Sequence, residues 1–242
     1  MTNRIGMIHP RAMTEIIGKY GAHARPEDQA LCQHAMEIIQ NVWGGQYPQE
    51  SKRHRTWQRL GPVNMASFYL SLLFTVQGVR TREEQDVLFQ VASLIADAEN
   101  DAGEDPAERS GKKARELQEQ IIVGAHLHQA ITGNEADRSP YREVVTLIGQ
   151  VWKVPETETQ QRLDAVCETQ STESASPLTS AGLETPDLFW GLFETAIHLD
   201  SPQDRLLLLH LAQELSELQS LLDWIRLTTP EPRPEKELER KT

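Results

Sequence analysis

Apolar residues recur along most of this chain at three- and four-residue steps, the period of a helix with one buried face. Residues 11–20 and 27–43 read as two such helices. In the second, Leu31, Ala35, Ile38, Ile39 and Val42 form one stripe. Pro26, Glu27 and Asp28 suit its first turn, and Gly44-Gly45 stops it. Residues 46–61 are polar, hold Pro48 and Gly61, and read as a loop. Residues 62–78 are apolar nearly all round, with Pro62 at the start and Gly78 just past the end. This pattern predicts the central helix of a core; insertion into a membrane is the lesser use, given Asn64 and two serines.

Thr81 and Glu84 have the capping-box spacing and open a helix over 81–100. Asn100 to Pro106 breaks the chain. A long helix follows over 107–132 and ends at Gly133-Asn134, and another spans 139–153 with Ser139 as cap and Pro140 in first position. A short helix fits around 156–168. Residues 169–185 are rich in Ser and Thr and read as a linker or loop. Residues 186–199 and 202–227 read as a helical hairpin, turned at Asp200-Ser201-Pro202-Gln203 with Ser201 capping the second helix. That last helix carries a heptad seam: Leu208, Leu211, Leu215, Leu218, Leu222 and Ile225. The seam is short for an independent coiled coil, so packing within the domain is its first expected use, and docking a partner or a second copy its second. The expectation is an all-α, multi-helix bundle with a C-terminal helical hairpin. It divides into a helical core over 1–153, a linker over 154–185, the hairpin over 186–227 and a charged, Pro-rich tail over 228–242 expected to be disordered.

Composition narrows this further. At 242 residues and 27.4 kDa the chain can bury a core without staples. Two cysteines, Cys32 and Cys167, make no disulfide framework and fit a reducing compartment. No apolar run of ~18 residues and no ordered secretory signal occur, so a cytoplasmic protein off the membrane is expected. The net charge of −12 argues against a general nucleic-acid binder. It is unevenly spread: residues 1–82 carry ten Lys/Arg against five acids, and the remainder fourteen against thirty-one. Such asymmetry points to a charged partner, or to attraction between the two parts inside one fold.

Three constellations carry candidate chemistry. Lys52, Arg53, His54, Arg55, Trp57 and Arg59 crowd one loop without an acid, a set that can neutralise phosphates and stack on a base of RNA or DNA. Arg205 and His210 enclose four leucines. This Arg-x4-His run resembles the element of HEPN-type helical ribonucleases, which implies action of Arg205 and His210 on a scissile phosphate. The run departs from that pattern at Leu206, where a polar residue is usual. Glu194/His198 and His210/Glu214 each share a helix face and could meet across the hairpin as a metal site, whereas His126/His128 and Cys32/His34 diverge around a helix. Ordinary surface pairs are the plainer use of all these residues, and no metal or other cofactor is expected. Neither the acids between Asp97 and Glu108 nor Lys112, Lys113 and Arg115 add a site; the former read as a solvated loop and the latter as members of intrahelical pairs. The expected function is a non-catalytic accessory or regulatory subunit that binds a protein partner, with the basic loop as a contact to nucleic acid. The rival is a helical ribonuclease.

Overall fold

The computed structural model describes residues 7–44, 64–99, 106–133, 137–167, 183 and 185–228. Among them are nine helices and no strand: α1 (Pro10–Gly21), α2 (Pro26–Trp43), α3 (Met65–Gly78), α4 (Arg82–Glu99), α5 (Pro106–Thr132), α6 (Ser139–Val151), α7 (Glu156–Cys167), α8 (Thr185–Ile197) and α9 (Pro202–Thr228). The chain is an all-α multi-helix bundle. No helix among the described residues is long and apolar enough to cross a membrane.

Helix α3 is the axis of the bundle. Ala66, Phe68, Leu70, Leu72, Leu73 and Val76 are buried, and α2, α4, α8 and α9 all pack on it. Two of its buried hydroxyls bond one turn back: Ser71 Oγ donates to the Ser67 carbonyl and Thr75 Oγ1 to the Ser71 carbonyl, both at 2.7 Å. Those oxygens then accept from the Ile8 amide (2.9 Å) and the Trp43 indole (3.0 Å). The polar interruptions thus fasten the N-terminal segment and the end of α2 to the core, because a buried hydroxyl must find partners. Asn64 caps α3 by accepting from the Ala66 amide at 3.0 Å, so the helix starts after Asn64 instead of at Pro62, which lies outside the described residues.

Two other starts are informative. The Thr81–Glu84 box forms reciprocally, with the Glu84 amide donating to Thr81 Oγ1 (3.2 Å) and the Thr81 amide to Glu84 Oε2 (3.3 Å). At α6 the expected Ser139 cap does not form. Asp137 Oδ1 accepts from the Ser139 amide at 2.9 Å, and Ser139 Oγ turns to Glu143 at 3.1 Å. Ser139 is the first residue of the helix, the N-cap position falls to Arg138 without a side-chain cap, and the Asp137 carboxylate lies against the positive end of the helix dipole.

The C-terminal hairpin is not set apart in space. Helix α8 lies along α3, and α9 covers α3, α5, α6 and α8 in one continuous apolar core. Long-range bonds close the bundle. Arg82 of α4 donates to the Ile197 carbonyl at the end of α8, Trp152 Nε1 to Thr195 Oγ1 at 3.1 Å, and Arg138 Nη1 to the Val166 carbonyl at 2.6 Å.

Candidate functional site

Helix α9 has one buried apolar face and one outer, mixed face that carries three exposed apolar side chains. Leu208, Leu211 and Leu215 are fully buried, Leu218 and Leu222 nearly so, and Ile225 is half-buried. The leucine seam is therefore part of the chain's own core, which corrects its assignment to a partner: the inner helices α3, α5, α6 and α8 already occupy its grooves. A second stripe runs along the opposite side through Gln203, Leu206, His210, Gln213, Glu217, Leu221 and Trp224, again at three- and four-residue steps. Leu206 is 45% exposed, Leu221 38% and Trp224 58%. They are three of the four large, exposed apolar side chains among the described residues, Met7 being the other. An indole so exposed is the informative observation here, since scattered surface leucines are ordinary. Sequence reasoning missed this stripe, because the denser seam masked it; the signal was Trp224, which falls outside the seam's register.

Arg205 and His210 are not convergent. They point about 140° apart around α9. Arg205 is half-buried on the flank with its Nε enclosed and lacking a hydrogen-bond partner, while His210 is exposed in the outer stripe. The ribonuclease pair would need a phosphate to reach both flanks of one helix.

Glu214 pairs not with His210 but with His128 of α5, whose Nδ1 lies 2.8 Å from Glu214 Oε1. The Tyr141 ring of α6 is 5.9 Å from the His128 ring and fully buried. Burial, reinforced by the Glu214 carboxylate it faces, drives the Tyr141 pKa far upward, so the phenol keeps its proton at every ordinary pH. The cluster fixes the His128 ring and joins α5, α6 and α9. Because Glu214 is engaged there, the two-Glu, two-His site across the hairpin does not assemble. Among the described residues, no group of three His, Cys, Asp or Glu could hold an ion.

His198 instead closes an aromatic cluster, edge-on to Phe89 (6.0 Å) and Trp152 (5.5 Å). Partial burial, and secondarily the Arg82 guanidinium, holds its pKa below the ordinary histidine value, with Asp86 pulling the other way. Cys32 is buried between α1 and α2, and that burial raises its pKa, so it is a poor nucleophile; His34 points outward, as their spacing predicts. Arg115 reaches across to Glu158 of α7 at 2.8 Å, where an intrahelical partner was expected, and lowers that carboxyl's pKa. The basic loop of Lys52, Arg53, His54, Arg55, Trp57 and Arg59 lies outside the described residues, as do residues 169–182 of the linker and 229–242 of the tail.

Comparison of the chain with family models, with curated proteins and with solved structures returned no match.

Proposed function

We propose that this chain is a non-catalytic accessory or regulatory subunit that docks on a protein partner through the outer face of α9. The observation that supports the reading is the exposed Leu206–Leu221–Trp224 stripe on a helix whose other face is locked into the core. Leu221 and Trp224 sit about one turn apart as a paired apolar anchor, with Leu206 about four turns nearer the start of the helix. Apolar anchors on one helix face are the usual form of helix-mediated docking, and tryptophan is a frequent energetic centre of such contacts. It works in the cytoplasm, in keeping with two cysteines that are both unpaired. The basic loop gives the assembly a contact to nucleic acid.

The test is the mass of the particle that the tagged chain forms when purified from its native host. A Leu221→Asp/Trp224→Ser variant is expected to elute alone, while the wild type elutes in a heavier particle. Equal masses for the two would refute the docking face. Cleavage of RNA by the wild type and its loss in His210→Ala, with an unchanged melting curve, would replace this reading with the ribonuclease one.

A further inference from the structure

We propose that the outer face of α9 is covered by a second copy of the same face, the two helices lying antiparallel about a two-fold axis beside Gln213. The inference rests on the docking reading above and names the partner. It comes from a symmetry in the stripe. Leu206 and His210 lie four positions apart, Glu217 and Leu221 lie four positions apart, and Gln213 and Glu214 sit midway between them. Read backwards, the face presents leucine where it presented leucine, and an acid where it presented an imidazole.

An isologous interface requires this property: each residue meets the mate of the residue that meets it. With the axis at the midpoint, Leu206 of one copy packs on Leu221 of the other, at both ends of a contact about 22 Å long. Inside that pair, the His210 imidazole N–H donates to the Glu217 carboxylate of the second copy, twice over. Neutral imidazole retains one N–H, so the bond exists in either protonation state. Trp224 reaches past the leucines to Pro202 and Gln203 at the start of the facing helix, both exposed. At each of these positions the present neighbour is solvent: His210 and Glu217 are exposed, and Leu206 and Leu221 are 45% and 38% exposed. Glu214, on the flank, is already held by His128 and brings no free carboxylate to the axis.

Parallel pairing of the same faces lacks this complementarity. It would set Glu217 against Glu217 and His210 against His210, and it would align the two helix dipoles. The antiparallel arrangement opposes the dipoles and turns both charged positions into donor–acceptor pairs. The net charge of −12 on each copy repels at long range, so the local contacts must carry the association.

Sedimentation equilibrium of the purified full chain tests this. The mass is expected to rise from 27.4 kDa toward twice that value with concentration. His210→Glu sets two carboxylates against Glu217 residues and is expected to weaken dimerisation by about tenfold or more. His210→Glu combined with Glu217→Arg restores opposite partners and is expected to recover most of the loss. Both positions are exposed, and circular dichroism checks that the variants keep the wild-type helix content. A chain that stays monomeric, a dimer indifferent to His210→Glu, or a loss the double variant does not recover would each overturn the antiparallel pair. If the wild type is monomeric yet Leu221→Asp/Trp224→Ser still loses the heavy particle from the host, the second copy is wrong and the docking face stands. If neither changes, both readings fall.

Discussion

Gly149 sits where α6 crosses α7, and a Cβ built on it would lie 2.7 Å from Thr159 Oγ1 and 3.0 Å from Thr159 Cγ2. Both branches of a buried, β-branched side chain are in the way, so rotation gives no relief. Gly149→Ala gains about 1 kcal/mol in helix propensity but loses about 1–3 kcal/mol to overpacking. A fall in melting temperature is expected, and a rise would show that the helices can part there. His198 gives a pH prediction. Its folded pKa is depressed, so the fold favours the neutral ring. That contribution is complete above the unfolded value of about 6.5 and is lost as pH falls through the lower folded value. Proton NMR should give a His198 midpoint below about 6.5, and a midpoint at or above it would contradict the environment described. None of these partnerships was legible in the sequence. His128 and Glu214 lie on helices far apart in the chain, and local spacing speaks only for residues within two turns. The spacing arguments did hold where geometry is local: Cys32 and His34 diverge as two positions on a helix must.

The helices themselves were largely legible, because periodicity and capping are local signals. Thr81 and Glu84 form the box their spacing predicts. Thr81→Ala removes a hydroxyl that accepts from the Glu84 amide, and a loss of about 1 kcal/mol in unfolding free energy is expected from denaturant titration. No change would mean that Glu84 alone holds the turn. The starts that were misread, at α3 and α6, share one cause. Asn64 caps α3, and Asp137 holds the Ser139 amide ahead of α6, where a proline or serine nearby is the stronger local signal. In α9 the heptad seam was legible, with packing in the domain as its first expected use and docking as its second, and the structure takes the first. A seam of leucines is the same pattern whether it meets the chain's own core or another chain, and only the surrounding helices decide between them.

At the scale of the molecule, the apolar α3 was legible as the centre, since a helix without a polar face has nowhere else to go. The placement of α8 along it was not: α8 arrives more than a hundred residues later, and a pairing between distant amphipathic helices leaves no trace in the local pattern of either. The charge asymmetry between residues 1–82 and the rest remains a feature of the sequence, much of it in the basic loop outside the described residues. Helix α9 turns its seam inward to hold the bundle, and the docking role proposed above falls to its outer stripe. The division of the two faces is checked by urea unfolding of Leu215→Ala beside Leu221→Ala, at protein concentrations low enough to keep association out of the transition. Leu215 is fully buried, and its truncation should lower the unfolding free energy by about 2–5 kcal/mol. Leu221 is exposed, and its truncation should stay within about 0.5 kcal/mol of the wild type. Equal losses, or a larger loss at Leu221, would mean that the two faces of α9 are not divided in this way.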